Sequence, residues 1–514
     1  MGAERLSHWI DWSRLKLKCL GLASVLAVLF ASILPAGVTP SQARDGQTQQ
    51  TGPASRRDAH LIMISIDGMP PDYYTNPAPL GLKVPTLTSM KLDGAYADGV
   101  EGVYPSVTYP SHTTLVTGVL PAKHGIVQNR IFEPPTEPQT KSWYWFSSAI
   151  KVETLWTAAR KAGLTVGAVG WPVTAGADID YNFPEIWDPA EQPITPKRAL
   201  QYSTPGLVQK VVSSTGTARG DQFRTNVAEY IIKNYKPNLL LVHLIELDDT
   251  HHHEGPRSPK AVETMEREDS YIGRILQATR DSGIFDNTTI FLVSDHGFAS
   301  VKKRFEPNVV LARAGLIKLD PTGKAVSWKA AAWDADGSCA IVLHDPGDAA
   351  TAKQVAEIFD RIKIRDGGPI SEILARKDLD RMGAIPEAFI MLEASSGFFF
   401  DDAVTGPEIK DSDKDYRGTH GYLPSKLEMR SSLIIYGEAA RVGARTTITR
   451  MIDIAPTAAA MLGLTLPEQQ GLVVPSLIKP QFIPPPDPDK KRSRKKNDSA
   501  NRKPVQPSGA LQAR

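Results

Sequence analysis

Short apolar runs recur along the chain, each closing on a carboxylate, an aromatic or a glycine, with stretches of helical period between them. His60–Ile66 (HLIMISI) leads into Asp67-Gly68, Leu164–Gly170 into Trp171-Pro172, and Thr289–Ser294 into Asp295-His296-Gly297. Pro237–Ile245 contains LLLVHLI, and Ser432–Tyr436 supplies a final run. Near-continuous Val, Ile and Leu is what a strand buried on both faces requires. The spacing predicts helices over His112–Thr117, Glu153–Ala162 (stopped by Gly163), Phe223–Tyr235, Glu263–Ser282 and Ile454–Leu462. Such alternation predicts an α/β fold, with a mostly parallel central sheet flanked by helices on both faces. Between about 300 and 418 the alternation breaks. A helix at Ala350–Ile362, a strand at Cys339–His344 and the acidic loop Asp401–Asp415 predict a smaller inserted subdomain that lips the site.

Composition changes the picture mainly at the ends. With 514 residues, 41% hydrophobic and 23% charged, the chain has room for one large domain of this kind, placed at 44–483. Residues 1–43 hold Arg14, Lys16 and Lys18, an apolar stretch from Cys19 to Leu34, and Ser41-Gln42-Ala43. That order is a secretory signal peptide with its cleavage site, and an uncleaved membrane anchor is the alternative. Either predicts an exported protein, periplasmic or extracellular. Of the two cysteines, Cys19 would leave with the signal, so Cys339 has no partner and a disulfide scaffold is excluded. Residues 484–514 carry nine basic and three acidic residues and almost no large apolar one, which predicts a disordered basic tail. Such a tail can touch an anionic envelope surface or have no partner at all. Nucleic-acid binding has no support elsewhere in the chain.

Candidate chemistry gathers where the runs end, as sites do in open α/β sheets. Asp67 follows the first run; ELDDTHHHEGP follows LLLVHLI and brings Asp248, Asp249 and three histidines. Asp295 and His296 follow the fourth run, and His420 stands within Gly418-Thr419-His420-Gly421-Tyr422. A carboxylate and an imidazole four residues apart can share a face, and mixed O/N donors suit Zn²⁺. Each piece alone has an ordinary reading, as a turn pair or a satisfied buried histidine. Together, Asp67, Asp248, Asp295, His252, His296 and His420 amount to a bimetal site. Thr108 stands just ahead of Tyr109-Pro110-Ser111-His112, at the expected start of a helix. Free N–H groups and the positive dipole end favour an anionic group there, while a plain N-cap threonine is the ordinary alternative. The aromatic run Trp143–Phe146 reads either as core or as the wall of a pocket for a flat group such as a nucleobase.

In ISIDG, TYPSH…LVTG…P-x-x-HGI, D-x-x-x-H-x-x-GP, SDHG and THGY, the chain resembles the nucleotide pyrophosphatase/phosphodiesterase branch of the alkaline phosphatase superfamily, from about His60 to Leu464. The resemblance implies that fold and two Zn²⁺ ions. One would be held by Asp248, His252 and His420; the other by Asp67, Asp295, His296 and the Thr108 oxygen. His251 and His253 are the alternatives to His252 if the register shifts by one. It further implies Thr108 as catalytic nucleophile, and Tyr109, Ser111 and Asn129 as substrate contacts. The reaction implied is hydrolysis of a phosphodiester or pyrophosphate bond in a nucleotide-type small molecule, through a phosphothreonyl intermediate. Three departures bear on the substrate: Ser111 replaces the usual Asn, and His243 and Leu247 replace the usual Tyr and Pro. A phosphomonoesterase or phosphonate hydrolase on the same scaffold is one rival, and a non-catalytic cell-surface binding protein another.

Overall fold

The computed structural model describes residues 56–186 and 196–485; the expected signal and nearly all of the expected tail lie outside them. Eight strands form the central sheet: β1 (His60–Ile66), β2 (Ala95–Ala97), β3 (Val166–Val169), β4 (Tyr181–Phe183), β5 (Leu239–Leu244), β6 (Thr288–Val293), β7 (Leu433–Gly437) and β8 (Arg445–Thr446). Their order is β8–β2–β7–β6–β1–β5–β3–β4, and β7 alone runs against the rest. Side-chain alternation divides β1 between two cores. Leu61 and Met63 pack with helices Thr108–Thr117, Leu155–Lys161 and Ile454–Met461, whereas Ile62, Ile64 and Ile66 pack with Pro85–Leu92, Gly220–Tyr235 and Pro259–Asp281. A fully buried Leu or Ile contributes about 1.5–3 kcal/mol, so a strand with no polar face belongs in the middle of the sheet. Among the described residues no helix is long and apolar enough to cross a membrane.

Two expected elements change shape. The helix expected from His112 starts at Thr108, giving α1 (Thr108–Thr117), and the stretch beyond β5 is itself a helix, α2 (Glu246–Glu254). Strands β2, β4 and β8, each two or three residues long, have no apolar run to announce them. Between β6 and β7, the strand Ala299–Phe305 pairs with Gly397–Phe400, Ile409–Asp411 and Gly418–Thr419. Part of the expected acidic loop is therefore strand. An antiparallel sheet of Ala330–Ala335, Ser338–Leu343, Ala388–Ala394 and Ile370–Ala375 packs with helix Ala349–Lys363 in the same region.

The start of α2 is fixed from outside. Asp221 Oδ2 accepts from the N–H groups of Ile245 and Glu246 at 2.7 and 2.6 Å, and Glu246 Oε1 accepts from the Asp221 N–H at 2.9 Å. These bonds satisfy N–H groups that a helix end leaves free. Glu268 completes a trio of carboxylates close enough to hold a cation. Guanidiniums already fill that role: Arg224 lies 3.0 Å from Asp221 and Arg267 2.8 Å from Glu246. Both Glu268 oxygens are buried with no donor against them. Burial first, then Asp221, raises its pKa well above the ordinary 4.5, which favours its neutral form. The folded state thus keeps a proton that the unfolded chain loses. That contribution is complete below about pH 4.5 and is lost as pH rises through the folded pKa. Glu268→Gln, neutral at every pH, is expected to gain melting temperature relative to the natural protein as pH is raised from 4 to 8. Parallel pH curves for the two proteins would show that Glu268 ionises normally.

Candidate metal centre

Asp67 follows β1, Asp295 and His296 follow β6, and Asp248 and His252 lie on α2 just beyond β5. Because β6, β1 and β5 are neighbours, three adjacent strand ends deliver five donors to one edge of the sheet. His420 comes from the region between β6 and β7, directly after Gly418–Thr419 pairs with Ala299–Ser300. Gly421 then turns at φ 86°, and a Cβ there would strike the Ala335 carbonyl. Only glycine lets the chain leave His420 by that path.

Two groups of donors result. Asp248 Oδ2 lies 3.4 Å from His252 Nε2, and Asp248 Oδ1 lies 3.8 Å from His420 Nε2. His296 Nε2 lies 3.3 Å from Asp67 Oδ1, 3.1 Å from Asp295 Oδ2 and 3.4 Å from Thr108 Oγ1. The His296 and His420 rings stack with centroids 3.6 Å apart, which joins the groups. Of the three consecutive histidines, His252 faces Asp248; His251 packs against Tyr73 and Phe298, and exposed His253 turns to Asp249.

The donor chemistry fits divalent cations. His252, His296 and His420 each turn Nδ1 to a backbone carbonyl, of Gly418, Gly297 and Ser106, at 3.0, 3.2 and 3.1 Å. A carbonyl can only accept, so Nδ1 carries a proton, and in the neutral ring Nε2 then has a lone pair for a cation. Lone pair against carboxylate is repulsive unless a cation lies between. Asp67 Oδ1, Asp248 Oδ1 and Asp295 Oδ2 are, in addition, buried without a hydrogen-bond partner. Burial, then Asp295 and Asp248, pushes Asp67 well above the usual carboxylate range, and burial lifts Asp295 to about 7. Within each group the three donors lie inside 4.8 Å of one another.

Thr108 stands at a helix N-terminus, as expected, but its surroundings differ from the expected ones. Thr108 is the first helical residue and Val107 the N-cap, so the threonine hydroxyl does not cap the helix. Nor is the helix end rich in free donors: Pro110 has no N–H, Ser111 N–H bonds the Val107 carbonyl, and Tyr109 N–H bonds Asn129 Oδ1 at 2.8 Å. With its oxygen so used, Asn129 keeps its amide N–H groups for other partners. Ser111 shares a face of α1 with Thr108, and its Oγ is buried without a partner. Tyr109 is fully buried, its ring 5.1 Å from Trp143 and its hydroxyl 3.3 Å from Glu185. The aromatic run packs with it, so Trp145 is core and the neighbouring rings are half-buried around Tyr109.

Residues 61–423 match the family model described as type I phosphodiesterase/nucleotide pyrophosphatase. The chain belongs to this family. Human ectonucleotide pyrophosphatase/phosphodiesterase family member 1 is 25% identical over 280 residues, 52% of this chain and 27% of that protein. Human family member 5 is 26% identical over 247 residues, 46% of this chain and 44% of its own length. This chain therefore spans about a quarter of the length of the first and under half of the second. The solved structure of human ectonucleotide pyrophosphatase/phosphodiesterase 5 superposes with a TM-score of 0.60 at 20% identity, covering 82% of this chain and 100% of that one. An inactive threonine-to-alanine form of the murine protein, in complex with AMP, gives 0.58 at 21%. These likenesses establish the alkaline-phosphatase-like fold.

In this member of the family, the sequence marks His243 only as a departure from the usual pattern and gives no sign of Glu185. His243 Nε2 and Nδ1 lie 2.9 Å from Asp67 Oδ2 and Glu185 Oε2. Burial opposes charge on the ring, yet Glu185 and Asp67 raise its pKa well above the ordinary value. One polar residue inside LLLVHLI was the available signal for His243; Glu185 had none. Metal removal tests the donor groups. Protein stripped by a chelator should melt several degrees lower, and zinc at about a hundred times its Kd should restore about 2.7 kcal/mol per site. An unchanged melting temperature on adding zinc would argue against both groups.

Proposed function

We propose that the chain hydrolyses phosphodiester or pyrophosphate bonds in nucleotide-type substrates, using two zinc ions and a phosphothreonyl intermediate on Thr108. The observation that carries this reading is the Thr108 hydroxyl at the end of α1, 3.4 Å from His296 Nε2 and beside two groups of cation donors. Family membership supports the bond type, and the AMP complex of the murine relative supports the substrate class. A dication at these groups supplies Lewis-acid charge that makes a nearby hydroxyl more acidic and offsets charge on phosphoryl oxygens. Thr108 Oγ1 attacks phosphorus while the leaving oxygen departs on the opposite side, and water then cleaves the phosphothreonine and returns the hydroxyl. The α1 dipole favours the anion, and the Asn129 amide, whose oxygen is taken by the Tyr109 N–H, and the buried Ser111 hydroxyl would contact the substrate. Arg130, next to Asn129, is tied to Asp334 at 2.8 Å and Asp402 at 3.8 Å. It is not offered to the second negative charge of a monoester, which favours a diester.

Two measurements test this. Zinc-loaded protein should cleave a nitrophenyl nucleotide diester well ahead of nitrophenyl phosphate; the reverse order would leave the donor groups standing and overturn the substrate class. Thr108→Ala should lower turnover by roughly 10³-fold or more while both metals stay bound. Near-normal turnover in that variant would sink the nucleophile assignment.

A further inference from the structure

His243 is a fully buried imidazole inside an otherwise aliphatic strand, and neither donor group includes it. Its register partner on β1 is Ser65, two residues before Asp67. Nε2 lies 2.9 Å from Asp67 Oδ2; Nδ1 lies 2.9 Å from Glu185 Oε2 and 3.0 Å from the Gly170 carbonyl. Asp67 thus has one oxygen bonded to an imidazole and the other, Oδ1, buried without a hydrogen-bond partner beside His296 Nε2. Rotation about its Cβ–Cγ bond would exchange the two. Whatever holds Oδ2 therefore decides which oxygen faces the cation group.

Glu185 reaches further. Its Oε1 accepts from the Tyr109 hydroxyl at 3.3 Å, next in sequence to Thr108. Arg224 stands 4.0 Å from Oε2 and 3.0 Å from Asp221, the residue that caps α2. A position needed only for packing would take an aliphatic side chain, as Leu241, Val242 and Leu244 do around it. A buried imidazole between two carboxylates carries a desolvation cost that packing does not require.

We propose that His243, held by Glu185, is a positioning residue for Asp67. It makes this carboxylate a one-oxygen ligand, and Glu185 ties that ligand to the ring beside the nucleophile. The inference rests on the metal reading of the site given above. Zinc binding to chelator-stripped protein, measured by competition with a chromophoric chelator, tests it independently of turnover. His243→Leu should weaken one of two zinc equivalents by about 10- to 100-fold and leave the other unchanged. His243→Gln, whose amide can still donate to Asp67, should recover most of that loss, and Glu185→Gln should weaken the same equivalent less.

Unchanged affinities in His243→Leu, or equal losses in the Leu and Gln variants, would overturn the positioning role. A purely structural residue would lower the melting temperature of the metal-free protein and leave both affinities alone. Should His243→Leu fail to fold, Glu185→Gln decides, since two unaltered equivalents there overturn the proposal. Natural protein that bound no zinc would fail differently, by removing the metal reading itself.

Discussion

Two carboxylates withdrawn from water within 4.8 Å of one another, Asp67 and Asp295, with half-buried Asp248 acting on both, constrain everything around them. Asp67 and Asp295 leave adjacent strands of one sheet, and Asp248 lies just beyond a third. At separations near 4–5 Å, two like charges repel by about 3–4 kcal/mol at an effective dielectric of 20. Side chains on mobile loops would relieve that repulsion by moving apart. Strands buried on both faces cannot, because any shift of β1 or β6 disturbs two cores at once. The sheet holds an arrangement that added positive charge makes comfortable, and the Nε2 atoms of three histidines beside it fit a metal ion as the source of that charge.

Fixing the ligands takes contacts from several directions. Gly68 N–H and His296 N–H both donate to Asp295 Oδ1 at 3.0 Å, leaving Oδ2 for the cation group. His243 treats Asp67 in the same way, bonding one oxygen and leaving the other. Asp221 caps α2 and so sets the height of Asp248 and His252, while the strand Ala299–Phe305 sets His420 by pairing with Gly418–Thr419. The region between β6 and β7 is therefore part of the site's architecture, because the sixth donor depends on its pairing.

What was legible in the sequence follows from the same physics. Strands β1, β5 and β6 stood out since burial on both faces demands unbroken aliphatic residues, and the ligands stood out since they end those strands. Strands β2, β4 and β8 are too short to have a pattern, and their place depends on partners distant in sequence. The first turn of α1 carries no helical pattern because Thr108, Tyr109 and Pro110 have poor helix-interior preferences, yet burial against both the sheet and the site overrides propensity. Partnerships formed only in three dimensions left no trace, which is why Glu185 was invisible and why the use of Asn129 Oδ1 by Tyr109 N–H could not be foreseen.

That last bond alters the account of anion recognition. A helix N-terminus usually attracts a phosphate through its free N–H groups as much as through its dipole. In α1 those of Tyr109 and Ser111 are committed inside the protein and Pro110 has none, so direct donation falls to few groups. In the proposed reaction, charge on a phosphoryl group would be met chiefly by the cations and by the amide of Asn129. Arg130, next to Asn129 in the sequence, is drawn off by Asp334 and Asp402. That arrangement accords with the diester proposed above.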